Sequence, residues 1–169
     1  MAPEQLLLTL LPELRAYALS ICRKSDEVDD LVQDSIERAL RSTTRPRDIA
    51  GLRPWMFRVI RNLHNDELRK NCVRREYFAR EERLSDVSYA GRDNESDMQM
   101  RMLFQQLPPD MREILFLIDI MELKYREVAE ILDVPTGTVM SRISRARKAL
   151  RDLVEGCERP ENTGRPKAR

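Results

Sequence analysis

Residues 124–150, KYREVAEILDVPTGTVMSRISRARKAL, decide the fold class of this chain. At about 100° per residue Val139, Ile143, Ala146 and Leu150 fall on one side of a helix, and Thr138, Ser141, Ser144, Arg145 and Lys148 fall on the other. The apolar stripe is suited to dock on Val128, Ala129 and Leu132 of a shorter preceding helix. Between the two stands Asp133-Val134-Pro135-Thr136. Pro135 disfavours helical geometry at Val134, Thr136 can cap the second helix, and Asp133 occupies the place where left-handed backbone is wanted and Gly is usual. Two helices at a tight turn, the second facing outward with hydroxyls and guanidinium forks, read as a helix-turn-helix for phosphates and base edges. A lone basic amphipathic helix would be explained as well by a solvated bundle face. The pairing, the turn and Gly137-Thr138 favour DNA.

Composition fits this reading. The 169 residues suffice for one ordinary domain or two small ones; with 41% hydrophobic but only 5% aromatic residues, the cores must be built from Leu, Ile, Val and Met. Only 5 Gly and no sustained alternation of apolar and polar residues imply an all-helical protein. The 30 basic and 29 acidic residues nearly cancel, to a net charge of +1, yet they are segregated. Asp26, Glu27, Asp29, Asp30, Asp34 and Glu37 crowd one segment; Arg45, Arg47, Arg53, Arg58, Arg61, Arg69, Lys70, Arg74 and Arg75 crowd the next. Two faces of opposite sign imply two different partners. Cys22, Cys72 and Cys157 are widely spaced and His64 is the single histidine, so neither a disulfide framework nor a metal site is expected. With no glycine-rich phosphate loop either, no catalytic constellation and no cofactor are expected, and the chain is read as a non-enzyme. No segment approaches a membrane span and the N-terminus lacks a basic leader, which implies no membrane insertion and a cytoplasmic location.

Along the chain, Leu7, Leu10, Leu11, Leu14, Ala18 and Ile21 predict a first helix with Pro12 near its front. Val28, Leu31, Val32, Ile36, Ala39 and Leu40 form the stripe of a second, capped by Ser25 or Asp26 and exposing Asp30, Gln33, Asp34, Glu37 and Arg38. Residues 42–51 read as a loop. A third helix is expected from about Pro54 to Arg75, with Met56, Val59, Ile60, Leu63 and Leu68 inward. Residues 81–97 lose their apolar period and read as a flexible linker, which divides the chain into domains 1–80 and 98–155. In the second, Pro108 and Pro109 separate a short helix from one capped by Asp110. Residues 156–169 read as a disordered tail.

Several stretches together resemble a bacterial sigma-70 family sigma factor of the extracytoplasmic-function (ECF) type, over about residues 5 to 155. Asp29-Asp30-Leu31-Val32-Gln33-Asp34 is similar to the family's polymerase-binding helix, and Arg53-Pro54-Trp55-Met56-Phe57-Arg58-Val59-Ile60-Arg61-Asn62-Leu63 to its promoter-melting segment. Leu107-Pro108-Pro109 with the run from Gly137 to Arg147 is similar to the domain that reads the upstream promoter element. The resemblance implies sigma region 2 over 1–80 and region 4 over 98–155. It implies that Asp30, Gln33, Asp34, Glu37 and Arg38 contact core RNA polymerase, and that an anti-sigma factor holds the free protein. For the downstream promoter element it implies Arg45, Arg47, Arg58, Arg61 and Arg69 along an opened strand, with Asn62 and Asn65 around an extruded base. Trp55 is read as core rather than as a melting wedge. Ser141, Ser144 and Arg145 are expected at base edges of the upstream element, flanked by Met140; Lys124, Tyr125, Thr138, Arg142, Arg147 and Lys148 are expected on phosphates. Many family members carry Lys or Arg where Met140 stands, and a thioether cannot donate to guanine. Ile36 replaces a common aromatic, a matter of packing.

Two other readings use parts of the same pattern. A sigma-like decoy would sequester an anti-sigma factor without touching DNA; such proteins usually carry a phosphate-receiving domain, for which this chain has no spare length, and would not need the outward arginines. A stand-alone helix-turn-helix regulator leaves the acidic helix and the basic segment unexplained.

Overall fold

The computed structural model describes residues 3–22, 25–77 and 95–158, and every regular element among them is helical. These elements are α1 (Pro3–Ile21), α2 (Ser25–Arg41), α3 (Ile49–Tyr77), α4 (Glu95–Gln106), α5 (Pro109–Leu115), which passes into a π-helical turn (Phe116–Ile120), α6 (Tyr125–Leu132) and α7 (Thr136–Glu158). The all-helical expectation holds, with α1–α3 as one group and α4–α7 as the other. Most of the predicted stripes face inward: Leu7, Leu10, Leu14, Ala18, Val28, Val32, Ala39, Met56, Ile60, Val139, Ile143 and Ala146 are all buried. Trp55 packs against this core, as expected.

Several boundaries move, each for a local reason. Asp48 caps α3, its carboxylate accepting the Gly51 N–H at 2.8 Å and its carbonyl the Leu52 N–H at 3.0 Å, so the helix starts five residues before Pro54. A Cβ on Gly51 would sit 3.1 Å from the Pro46 Cβ, a tight approach that glycine avoids where the loop closes over the helix start. Leu40 and Leu68, read as inward, are 49% and 47% exposed, at helix positions that outrun their neighbours' packing. In α5 Asp110 is not the cap: Pro108 accepts the Met111 and Arg112 N–H groups, and Asp110 lies in the first turn, where a carboxylate suits the helix dipole. Pro135 takes the corresponding place before α7, accepting from Thr138 and Val139, and Thr136 is the first helical residue rather than the cap. Residues 81–94 of the expected linker lie outside the described residues, and Glu95–Asp97 already belong to α4. At the other end α7 continues to Glu158, three residues into the expected tail, and 159–169 lie outside the described residues. The proposed Ser25 or Asp26 cap, and the side chains of Cys72 and Cys157, are likewise outside them.

The turn of the helix-turn-helix follows the sequence reading closely. Asp133 has φ 54° and ψ 51°, left-handed as expected, and its N–H closes on the Ala129 carbonyl together with that of Val134. An L-residue is strained there, whereas Gly is not. Asp133→Gly is therefore expected to stabilise the protein by up to about 1 kcal/mol, less the extra chain entropy of Gly, seen as a melting temperature raised by up to about 4 °C. An unchanged or lowered melting temperature would count against strain at this residue. A second left-handed residue, Glu122 at φ 54°, turns the chain between the π-helical segment and α6. Neighbouring chemistry gave no sign of it.

What the local patterns did not announce is that the two helical groups pack on each other. α1 lies against α5 and the π-helical turn, and α3 lies against α6. One apolar cluster runs through both groups, from Leu6 in α1 to Ala146 in α7. The run Ile114-Leu115-Phe116-Leu117-Ile118 is buried throughout, because it is covered by its own group on one side and by α1 on the other. A helix apolar all round has to be enclosed all round. The π-helical bond from the Met121 N–H to the Phe116 carbonyl, 2.9 Å, widens the last turn of this run.

Candidate nucleic-acid and polymerase interfaces

On α2, Val28, Val32 and Ala39 face α1 and α3, and the buried Ser35 hydroxyl is satisfied by the Val32 carbonyl at 2.7 Å. Docking of that side fixes the other. Asp30, Gln33, Asp34, Glu37 and Arg38 are all exposed and recur at helical spacing as one ridge. Within it Gln33 donates to Glu37 at 3.4 Å, and Arg41 pairs with Glu37 at 3.4 Å across exposed side chains. Such surface pairs hold little energy and leave the ridge acidic.

The basic segment is less uniform than its sequence. Arg47, Arg58, Asn62 and Arg69 are exposed, and Asn65 is half-buried. Arg69 makes only a loose surface pair with Asp66, at 3.6 Å. Arg45 is half-buried and donates to the Ala39 carbonyl at 3.0 Å, so it closes the end of α2 instead of standing free for a nucleic-acid backbone. Arg61 is turned inward: its Nε lies 3.1 Å from Glu113 of α5, with only 20% of the arginine side chain and 14% of the glutamate exposed. A candidate strand contact is thus occupied by the other helical group.

Glu113 has a second donor, the hydroxyl of Tyr17, at 2.7 Å. Tyr17 is fully buried, edge-on to Phe57 at 5.1 Å between centroids and tilted against Phe116 at 6.1 Å. Burial, and after it the Glu113 carboxylate, push the Tyr17 phenol well above its ordinary pKa and keep it a donor. Nearby, Arg53 pairs with Glu13, donates to the Met121 carbonyl at 2.8 Å and lies over the Phe57 ring. Sequence reading missed Tyr17, Glu113 and Glu13 altogether. Their partners lie far off in the chain, and only the uninterrupted apolar run after Glu113 hinted at a segment covered on two sides.

The outer side of α7 presents Ser141, Ser144, Arg145 and Lys148 to solvent, with Met140 54% exposed beside them. Ser141 spends its proton on the Thr138 carbonyl at 3.0 Å, which leaves its oxygen free to accept. Arg145 reaches back only weakly, to the Ser141 carbonyl at 3.4 Å. Thr138, Arg142 and Tyr125 are half-buried, whereas Lys124 is exposed and its N–H donates to Glu127 at 2.8 Å to start α6. Arg147 departs from the expected free phosphate contact. Two of its guanidinium nitrogens hold Asp119, Nε at 3.1 Å, tying α7 to the π-helical turn.

Cys22 is buried, and burial followed by Glu27 pushes its thiol up to about 12, so it is held as an unreactive thiol. Among the described residues no cluster of His, Cys, Asp and Glu could hold a metal ion, and no helix is long and apolar enough to cross a membrane.

Residues 6–72 match the Sigma-70 region 2 family and residues 97–150 match Sigma-70, region 4. The ECF RNA polymerase sigma factor EcfG of Rhodopseudomonas palustris is 34% identical over 162 residues, which cover 90% of this chain and 86% of that one. The ECF RNA polymerase sigma-E factor of Salmonella typhimurium is 30% identical over 144 residues, 78% of this chain and 75% of its own. Among solved structures, the sigma factor RpoE of Bartonella quintana, in complex with the anti-sigma factor NepR, superimposes with a TM-score of 0.76 at 30% identity, over 92% of this chain and 98% of that one. The chain belongs to the sigma-70 family, in its ECF group, and so binds core RNA polymerase and directs promoter-specific initiation of transcription.

Proposed function

We propose that this sigma factor divides its work among three surfaces. The α2 ridge of Asp30, Gln33, Asp34, Glu37 and Arg38 docks on core polymerase, through an acidic face that needs a basic partner. The α3 side, with Arg47, Arg58, Arg61, Asn62, Asn65 and Arg69, holds the opened downstream element. No energy source is needed there, because capture of unpaired bases offsets the few kcal/mol per unstacked step. The α7 face reads the upstream element from the major groove, Ser141, Ser144 and Arg145 at base edges and Lys124, Tyr125, Thr138, Arg142 and Lys148 on phosphates. The observation that carries this reading is the exposure of Ser141, Ser144, Arg145 and Lys148 on α7 opposite the buried Val139-Ile143-Ala146 stripe. Region 2 is taken as 1–80 and region 4 as 98–155. The protein acts in the cytoplasm, without catalysing a reaction, and is restrained by an anti-sigma factor, as RpoE of Bartonella quintana is seen bound to NepR.

Arg145→Ala is expected to weaken upstream-element recognition by about 1–3 kcal/mol while core binding survives. Transcription by purified core polymerase across a promoter library, with the wild type and the variant, measures this. Unchanged promoter selection would remove Arg145 from the reading face, and failure of the wild type to stimulate any promoter would favour the decoy reading.

A further inference from the structure

Nothing inside the fold accounts for Gly137. It stands in the first turn of α7, where the Thr138 and Val139 N–H groups bond to the Pro135 carbonyl, and its φ is not left-handed. A Cβ there would meet no atom within 4 Å, whereas one on Gly51 would press on Pro46. Glycine weakens a helix relative to alanine, so this position gives up stability without any gain in packing. At about 100° per residue Gly137 lies between Met140 and Ser141 around the helix, one turn before both. Met140 is 54% exposed, and among the described residues it is the only large apolar side chain so exposed on α7. The Ser141 proton is already given to the Thr138 carbonyl. The outer side of this turn is therefore a notch with bare backbone at its floor, a thioether on one wall and an acceptor oxygen on the other.

We infer that the Gly137 notch takes the C5 methyl of a thymine when α7 lies in the major groove, packing it against the Met140 thioether and so selecting an A·T pair at that step of the upstream element. Of the groups that base edges present in the major groove, the thymine methyl is the only apolar one. Guanine presents only acceptors there, and neither Met140 nor Ser141 has a proton to give it. Residues near the start of a recognition helix are the ones that reach base edges, which is where the notch lies. A side chain at position 137 would occupy the volume that the methyl needs, and this gives the glycine a reason that the free protein lacks. The inference rests on the reading of α7 as the major-groove face, which Arg145→Ala tests separately.

Holoenzyme assembled from core polymerase and the full-length protein first selects its preferred duplex from a promoter library randomised over the upstream element. Each thymine of that element, on either strand, is then replaced singly by deoxyuridine, which removes the C5 methyl and leaves base pairing intact. Affinity is measured by competition for the wild type, Gly137→Ala, Met140→Ala and the control Gly156→Ala, which has as much space around it but stands in the last turn of α7. One replacement should weaken the wild type and Gly156→Ala by about 4-fold, the transfer value of a buried methyl. Gly137→Ala should bind the thymine duplex about 5-fold or more weakly, as overpacking does. The same deoxyuridine should restore its binding, since the new methyl of the protein fills the space that the base gives up. Met140→Ala should be indifferent to the replacement. Gly137→Ala should melt no lower than the wild type, because alanine favours the helix, so its weaker binding cannot come from misfolding. An element selected without thymine, or a Gly137→Ala protein that binds the thymine duplex as the wild type does, overturns the notch. If Arg145→Ala shifts the selected element while the notch fails, the reading face stands without it; if Arg145→Ala shifts nothing either, the reading face falls as well.

Discussion

Phe57→Ala is expected to cost about 3–5 kcal/mol of stability, the usual range for truncating a buried aromatic. Phe57 is fully buried, meets Tyr17 edge to face at 5.1 Å and carries the Arg53 guanidinium 5.8 Å above its ring. Truncation removes the transfer free energy of the ring, leaves a cavity under α1 and takes away the aromatic pair, itself worth about 0.5–1.5 kcal/mol. Because small domains are stable by only about 5–15 kcal/mol, the variant should lose a large fraction of its stability. Urea unfolding should show a lower midpoint at unchanged slope. Leu68→Ala supplies the contrast: at 47% exposure it should stay within about 0.5 kcal/mol of the wild type. If the two variants unfolded alike, the placement of Phe57 at the centre of the core would be wrong.

The second large effect concerns the polymerase. Replacing Asp30, Asp34 and Glu37 together by Lys puts positive charge on the ridge proposed to meet a basic surface, and like charges facing each other across an interface cost several kcal/mol. Association with core polymerase should therefore weaken by about 100-fold or more, most strongly at low salt, where screening is least. All three side chains are exposed and contribute nothing to the core, so the melting temperature should hardly move. Titration of core polymerase with labelled protein measures the loss. Undiminished affinity would transfer the docking role to another surface.

Both expectations depend on different amounts of structural knowledge. The α2 ridge could be read directly, because a helix exposes whatever its buried stripe leaves over, and the stripe of Val28, Val32 and Ala39 is a local repeat. The exposed polar side of α7 was legible for the same reason, and the left-handed Asp133 for a related one: a proline two residues later confines the chain to few turns. What no local pattern showed is which cations already have a partner within the chain. Arg45, Arg61 and Arg147 are cations of the expected type, yet they hold the Ala39 carbonyl, Glu113 and Asp119. Composition cannot tell a guanidinium waiting for phosphate from one already given a carboxylate.

By itself, then, the sequence determined what has short period or short range: the helices, their inward stripes, the turn between α6 and α7, and through those the family. Only the tertiary structure decided that the two groups close on each other and which arginines that closure occupies. The physical reason is range. Tyr17 meets Glu113 from 96 positions away and Arg61 meets it from 52, so their pairing depends on how whole helices dock and leaves no trace in any local repeat.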